Sequence, residues 1–281
     1  MIKITADSTC DLSPELIEKY NITLSPLHVL IDEVDFLDGV NITPKDIFQY
    51  VSVDKKNCST AAINTYEYEQ LFQQFTNDYD AVIHISLGMK FSSCFQNATL
   101  AAQNFTNVHV VDSQNLSTGS GHLVIDAAKL AEKGLTADQI VANLNALAPQ
   151  VETSFVIDTM EYLKRGGRCS SIEAFGATLL KIKPSIEVIE GKMEVGKKYR
   201  GNQRSCLEKY IKDRLENRSD IDTSRLIISH SECSAEIVEH VKTVVSQYKQ
   251  FDEIHVTTAG STVSTHCGPN TLGIIFKRTL R

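Results

Sequence analysis

Residues 81–102, with the sequence AVIHISLGMKFSSCFQNATLAA, limit what this chain can fold into more than any other segment. The first six are mainly apolar or β-branched, as in a strand that is buried on both faces. Small and apolar residues then follow at helical spacing after Ser92 and Ser93, either of which is a favoured N-cap. A strand, a short loop and a helix N-terminus place free N–H groups at the carboxyl edge of a sheet, where anionic ligands bind. We therefore expect an acid or a phosphate here, with an ordinary helix cap as the alternative.

Strands and helices alternate through the first 150 residues. Further buried strands are predicted at residues 3–7 and 108–113, and helices at residues 14–20, 65–75, 117–133 and 136–147. Residues 22–31 predict one extended run, and residues 57–62 predict a loop of small residues with hydroxyls. This alternation predicts a parallel sheet with right-handed crossovers.

The second half has a different pattern. Residues 184–195 alternate about Gly191 and predict a hairpin, and residues 259–273 predict a long loop of small and polar residues. We predict an α/β protein of two domains, with a parallel-sheet α/β domain at residues 1–150 and a smaller α+β domain at residues 151–281.

Composition excludes several classes of protein. A net charge of -7 over 281 residues, with both signs interspersed, argues against nucleic acid as a partner. Because the sequence has no long apolar run and no signal-peptide pattern, we expect a cytoplasmic protein without stable membrane insertion. The 7 cysteines form no C-x-x-C pair, so neither a disulfide framework nor a metal site is expected.

Candidate binding residues come from separate segments. Thr60, Ser92 and Ser93 supply hydroxyls, and His266 supplies an imidazole. If they converge, they offer what a buried carboxylate or phosphate needs to offset its desolvation. Arg200, after the hairpin, is a candidate second cation. The alternatives are a structural histidine and an exposed arginine.

A hydrolase is the sharpest enzymatic alternative. Ser92, Asp112 or Asp158, and His266 follow the Ser, Asp, His order of α/β-hydrolases. However, the residues around Ser92 lack the glycines that a nucleophile elbow needs. An esterase or acyl hydrolase that uses Ser92 and His266 therefore stays a second hypothesis, and a small-phosphate binder a third.

Other motifs have structural explanations that are at least as good. Asp7 and Asp112 each follow a predicted strand and suit Mg²⁺, but Asp-Ser at such positions commonly caps loops, which we prefer. The turn at residues 165–168, Arg-Gly-Gly-Arg, suits a phosphate or a solvated glycine turn equally well. The sequence has neither a P-loop nor a dinucleotide-binding glycine motif, which argues against nucleotide-dependent catalysis in this chain.

Seven segments together resemble the DegV family of bacterial fatty-acid-binding proteins, which includes the binding subunits of fatty acid kinase. They are Asp7-Ser-Thr-Cys-Asp-Leu12, Ser59-Thr60, Phe91-Ser-Ser-Cys-Phe-Gln-Asn-Ala98, Val111-Asp-Ser113, Tyr162-Leu-Lys-Arg-Gly-Gly-Arg168, Ile182-Lys-Pro184 and His266-Cys-Gly-Pro-Asn-Thr-Leu-Gly273. Each segment alone is weak evidence for this resemblance, but the occurrence of all of them in this order along the whole chain is specific.

This resemblance implies two α/β domains with a long-chain fatty acid between them. The first domain would hold the carboxylate through Thr60, Ser92 and Ser93, with His266 and Arg200 as supporting cations. The second would hold the acyl tail. It also implies no catalytic residue, no metal and no cofactor besides the fatty acid. A separate ATP-dependent fatty acid kinase subunit would form the acyl phosphate, a step of phospholipid metabolism.

The chain departs from the family pattern near the expected carboxylate. These departures are Ala61, Ala62, Ser93, Cys94, Cys267 and Asn270. They affect the expected headgroup contacts more than the fold, and the preferred chain length stays open. Phe175, Leu179 and Ile182 are candidates for the tail tunnel, with core packing as an equal alternative.

Overall fold

The computed structural model describes residues 1–169 and 182–279. The strands of the first half are β1 (Ile2–Asp7), β2 (Thr23–Ser25), β3 (His28–Ile31), β4 (Val34–Leu37), β5 (Cys58–Ala61), β6 (Ala81–Ser86) and β7 (Val108–Asp112). Strands β2, β1, β6 and β7 form, in that order, a parallel four-stranded sheet. Strands β4, β3 and β5 form a smaller antiparallel sheet. Every residue of β6 is buried, as its apolar sequence predicts.

Helices connect these strands. They are α1 (Pro14–Lys19), α2 (Pro44–Phe48), α3 (Thr65–Gln73), α4 (Cys94–Ala102), α5 (Thr118–Glu132) and α6 (Ala137–Leu147). Several start where the sequence places an N-cap. Ser13 accepts from the N–H of Leu16 at the start of α1, and Thr43 and Asp46 form a reciprocal capping box at the start of α2.

Two predictions about the first half are wrong. Residues 22–31 are not one strand, because the chain leaves the parallel sheet after β2 at Pro26, which has no N–H to donate, and enters the small sheet as β3. Residues 57–62 are not a loop. Cys58–Ala61 pairs with β3, and Thr60 lies opposite Val29. The pairing depends on a strand about thirty residues earlier, which local sequence does not reveal.

The second half folds around a six-stranded mixed sheet. Its strands are β8 (Val151–Val156), β9 (Ile182–Ile189), β10 (Lys192–Arg200), β11 (Ile221–Ser231), β12 (Glu253–Thr258) and β13 (Thr271–Arg278). Its helices are α7 (Glu161–Gly166), α8 (Gln203–Leu215), α9 (Ala235–Tyr248) and α10 (Ser261–Cys267). The strand order is β10-β9-β8-β13-β11-β12, with β11 and β12 parallel and the other neighbours antiparallel. The predicted hairpin is confirmed, with Glu190 and Gly191 both at positive φ in its turn.

Helix α5 joins the two large sheets. Its buried Leu123 and Ile125 belong to a core that also contains Ile83 of the parallel sheet and Ile275 of the mixed sheet. The combination of a parallel-sheet domain with a mixed-sheet domain confirms the predicted fold class. Among the helices in the described part of the chain, none has the length and apolar character that a membrane span requires.

A buried ionic network fastens α5 to the mixed sheet. Arg225 of β11 is 2% exposed and donates through Nη2 to Asp126, at 2.7 Å, and through Nε to His122, at 3.2 Å. Lys277 of β13 donates to the other oxygen of Asp126 at 2.8 Å. Burial, followed by the charges of Arg225 and Lys277, lowers the pKa of His122 well below its usual value. Each buried charge in this network therefore has a partner.

We predict that Arg225→Ala lowers the free energy of unfolding by about 3–5 kcal/mol, because it leaves Asp126 short of one partner in a dry site. Urea unfolding at neutral pH measures this loss. The control is Arg204→Ala, whose guanidinium is about half exposed and pairs with Glu208 and Glu236, with an expected cost below about 1 kcal/mol. Equal losses in the two variants would contradict the assigned role of the network.

Candidate functional site

A cavity of about 80 Å³ lies where residues of the two halves meet. Its polar lining residues are Thr9, Thr60, Ser92, Arg168, Thr262 and His266. Its apolar lining residues are Leu27, Ala61, Ala62, Leu87, Phe91, Leu116, Phe155, Leu163, Met193, Val263 and Cys267. A mostly apolar cavity with a few polar groups is the usual form of a small-molecule site.

Thr60 and His266, which are 206 residues apart in sequence, meet in this cavity. Thr60 Oγ1 lies 2.8 Å from Nε2 of His266. Thr60 comes from strand β5 and His266 from the last turn of helix α10. The predicted convergence of these two residues is therefore present, although both were expected on loops.

Helix α10 forms where the sequence predicts a loop, because its N-terminus is capped from a distance. Asp11 accepts from the N–H of Gly260 at 2.8 Å, and Asp38 accepts from the N–H of Ser261 at 2.7 Å. Both carboxylates are buried. Burial raises the pKa of Asp11 to about 8, while hydrogen bonds from Ser117 and Gly260 oppose the shift. The carboxylates satisfy N–H groups that would otherwise be unpaired.

His266 has an uncharged ring at neutral pH in the protein alone. Burial, and secondarily the charge of Arg168, lowers the pKa of its imidazole to about 4, so the ring is neutral at pH 7. The ring packs against the end of helix α7, where a Cβ on Gly166 would lie only 2.2 Å from Nδ1. Gly167 next to it has φ +67° and ends the helix. The two glycines of the Arg-Gly-Gly-Arg turn thus serve close packing and a left-handed turn.

Ser92 lies in the loop after β6, which a buried carboxylate holds in place. Asp7 accepts from Ser86 Oγ at 2.9 Å and from the N–H of Leu87 at 2.7 Å, where that loop begins. Its other oxygen accepts from Tyr68 at 2.6 Å and contacts His84 at 3.1 Å. Asp7 is 1% exposed. It therefore fixes the path of the chain toward Ser92.

The hydroxyl of Ser92 caps the start of helix α4. It accepts from the N–H of Cys94 at 3.3 Å and donates to Sγ of Cys94 at 3.1 Å. Burial raises the pKa of this thiol to about 12, so it stays protonated. Ser92 is half-buried and lines the cavity. Ser93 is exposed and is not among the described residues that line the cavity.

Arg200 likewise lies outside the lining of this cavity. Side chains alternate between the faces of β10, and Tyr199 is buried while Arg200 is exposed at the end of the strand. Of the basic residues in the described part of the chain, Arg168 takes its place in the cavity lining. Ile182 is half-buried on β9 and outside that lining. The tail candidates Phe175 and Leu179 lie outside the described residues.

The geometry does not assemble the predicted hydrolase. His266 contacts Thr60 rather than Ser92, and its Nδ1 has no hydrogen-bond partner among the described residues. Asp158 pairs with Lys183. Asp112 accepts from backbone N–H groups. Within residues 1–169 and 182–279, therefore, no acid orients the histidine as a triad requires.

The described ranges, 1–169 and 182–279, hold no group of three or more His, Cys, Asp or Glu side chains placed to bind a metal ion. Asp7 is engaged by the four contacts given above, and Asp112 by the N–H groups of Met89 and Gln114. Both carboxylates therefore act as caps of loops.

A family model described as "Uncharacterised protein, DegV family" matches residues 1–279 of this chain. The chain belongs to the DegV family. A DegV domain-containing protein of Caldanaerobacter subterraneus is 28% identical over 279 residues, which cover 98% of each chain. Among solved structures, a fatty-acid-binding DegV family protein of Thermus thermophilus is 29% identical, with a TM-score of 0.88 and 99% of each chain covered. A stearic-acid-binding protein of Eubacterium ventriosum is 26% identical, with a TM-score of 0.82 and coverage of 99% of this chain and 98% of that one.

Sequence reasoning missed two polar residues of the cavity in this DegV protein. Thr9 follows strand β1, inside the Asp7–Leu12 segment that carries the family resemblance. Thr262 lies four residues before His266, which places both on one face of α10. That spacing is a usable signal only once residues 261–267 are known to be helical.

We predict that Gly166→Ala displaces the imidazole of His266 and breaks its contact with Thr60, because a Cβ has no room beside Nδ1. In an NMR titration the pKa of His266 should rise from about 4 toward its ordinary 6.5 as the ring gains solvent. Gly167→Ala is the control, since it adds backbone strain but has nothing within 4 Å of the new Cβ. An unchanged pKa in Gly166→Ala would show that the packing is not required.

We also predict that His266 makes stability depend on pH. Its pKa is about 4 in the folded chain against 6.5 for an ordinary histidine, so between these values the unfolded chain binds a proton that the folded chain does not. The free energy of unfolding should therefore show no loss from His266 above about pH 6.5. It should decrease as the pH drops toward 4. Urea unfolding should show that the free energy of unfolding decreases less with falling pH in His266→Gln than in the unmodified protein. The control is His109→Gln, at a half-buried histidine on β7, which should behave like the unmodified protein. Identical pH profiles would refute this assignment.

Proposed function

We propose that this DegV protein binds a long-chain fatty acid, with the carboxylate among the hydroxyls of the cavity and the acyl chain along its apolar walls. The observation that carries the proposal is the composition of the cavity, in which Thr60, Ser92 and His266 meet a lining that is otherwise mostly apolar. Fatty-acid binding by the Thermus and Eubacterium relatives supports it.

The physical chemistry of the ligand fits this lining. Desolvation of an acyl chain contributes about 0.8 kcal/mol per buried methylene, so the chain supplies most of the affinity. A carboxylate that leaves water needs donors in return. Thr60 and Ser92 bring hydroxyls, and Arg168, exposed at the cavity, brings a positive charge.

We further propose that residues 1–150 hold the carboxylate and residues 151–281 hold the tail, with one amendment. The polar part of the lining also includes Thr262 and His266 from the second half. Phe155, Leu163 and Met193 of the second half supply apolar wall for the tail.

The protein is then a carrier rather than an enzyme, and a separate ATP-dependent kinase subunit would convert the bound carboxylate to an acyl phosphate. Family resemblance supports this part of the proposal. The exposed position of Arg168 on the cavity lining is compatible with access from solvent to the headgroup. No group of this chain is assigned a catalytic step.

The first test is to denature the purified protein, extract it with organic solvent and search the extract for fatty acids by negative-ion mass spectrometry. We expect one fatty acid in near-stoichiometric amount, because a buried acyl chain dissociates slowly. Its absence, together with no uptake of added stearic acid by the refolded or delipidated protein, would reject the carrier function.

Variants separate the carrier from a hydrolase. Thr60→Val and Ser92→Ala should each weaken retention of stearic acid about tenfold, because each removes a hydrogen bond to a charged group. Ser93→Ala is the matched control, since Ser93 is exposed and outside the cavity lining, and should bind like the unmodified protein. Turnover of an acyl ester that disappears in Ser92→Ala would instead establish the esterase.

A further inference from the structure

Two threonine hydroxyls that line the cavity have no hydrogen-bond partner among residues 1–169 and 182–279. They belong to Thr9, which is 1% exposed, and Thr262, which is 4% exposed. A buried hydroxyl without a partner is costly, and native proteins rarely leave one unpaired. Two of them in one cavity indicate a partner that the chain itself does not supply.

Neighbouring hydroxyls show that this is not a general property of these segments. Ser8, next to Thr9, donates to Asp38 at 2.9 Å. On α10, Thr265 donates to the carbonyl of Ser261 at 2.8 Å, the usual bond of a helical threonine to the residue four positions earlier. Thr262 lies in the first turn, where the residue four positions earlier is Thr258 of strand β12. Its hydroxyl therefore has no helical carbonyl to bond.

The two threonines line the same cavity as the predicted headgroup residues Thr60, Ser92 and His266. Thr262 shares a face of α10 with His266, whose Nε2 lies 2.8 Å from Oγ1 of Thr60. Thr9 follows the carboxyl end of β1, the central neighbour of β6 in the parallel sheet, and Ser92 lies in the loop after β6. The hydroxyls come from both halves of the chain and line one space.

We infer that Thr9 and Thr262 are headgroup ligands that donate hydrogen bonds to the bound molecule, together with Thr60 and Ser92. This inference rests on the proposed function and specifies the ligand class. A carboxylate has two oxygens with about four lone-pair sites, which four hydroxyls can occupy. An alcohol has one oxygen and leaves donors unpaired. The site thus selects the acid over the alcohol of the same chain length.

The test measures displacement of a fluorescent fatty acid from the delipidated full-length protein by stearic acid and by stearyl alcohol. The variants are Thr9→Val and Thr262→Val, which keep the shape of the side chain and remove the hydroxyl. The control is Thr257→Val, because the hydroxyl of Thr257 is also buried and unpartnered within the described residues but lies outside the cavity lining. Circular dichroism and thermal melting confirm that each variant is folded.

We expect each cavity variant to weaken binding of the acid about tenfold or more, while binding of the alcohol changes less than about twofold. Thr257→Val should change neither. Thr262→Ser restores a hydroxyl and should restore the preference for the acid, which a loss of packing alone would not do.

Other outcomes overturn the inference. Equal weakening of acid and alcohol would assign Thr9 and Thr262 a structural role, and unchanged acid binding in both valine variants would remove them from the headgroup site. In either case the unmodified protein still binds stearic acid, and the proposed function stands. If the unmodified protein binds neither probe, the proposed function fails and this inference fails with it.

Discussion

Two buried acidic side chains from the start of the chain hold the N-terminus of a helix near its end. Asp11 and Asp38 accept from the N–H groups of Gly260 and Ser261, across 249 and 223 residues of sequence. Helix α10 has 7 residues, too few for appreciable stability alone, so tertiary contacts such as these place it. Because α10 carries His266 to the cavity, the candidate site depends on this long-range cap as much as on the residues that line it.

Burial, rather than the dipole of the same helix, determines the charge of His266. The C-terminus of a helix favours a protonated histidine by about 0.3–1 kcal/mol. His266 lies in that last turn, yet burial and the charge of Arg168 lower its pKa to about 4. Desolvation is therefore the larger effect. At the other end, burial raises the pKa of Asp11 to about 8, and its hydrogen bonds only partly oppose this shift.

Local signals in the sequence were sufficient for most of the fold and for part of the site. The buried run Ala81–Ser86 and the hairpin about Gly191 depend on neighbouring residues, and both predictions are confirmed. Strand β5 and helix α10 depend on partners that are distant in sequence, so their segments resembled loops. The sequence identified Thr60 and His266 as candidate binding residues. It did not predict the strand and the helix on which they lie. Local sequence also did not reveal that Arg200 is exposed to solvent at the end of β10, next to the buried Tyr199.

Under the proposed function, the acyl tail and the carboxylate headgroup of the ligand contribute differently to binding. Each methylene that the apolar walls bury contributes about 0.8 kcal/mol, so about four of them match the ~1.5–3 kcal/mol of one hydrogen bond to a carboxylate. Affinity then follows the apolar walls, while the hydroxyls decide which end of the ligand enters and which chemical class is retained. A buried ion pair would cost about 3–5 kcal/mol to break whenever the carboxylate reacts or leaves. Hydroxyls, a neutral imidazole and the solvent-exposed guanidinium of Arg168 bind the same group without a buried ion pair, as a carrier that must give up its ligand requires.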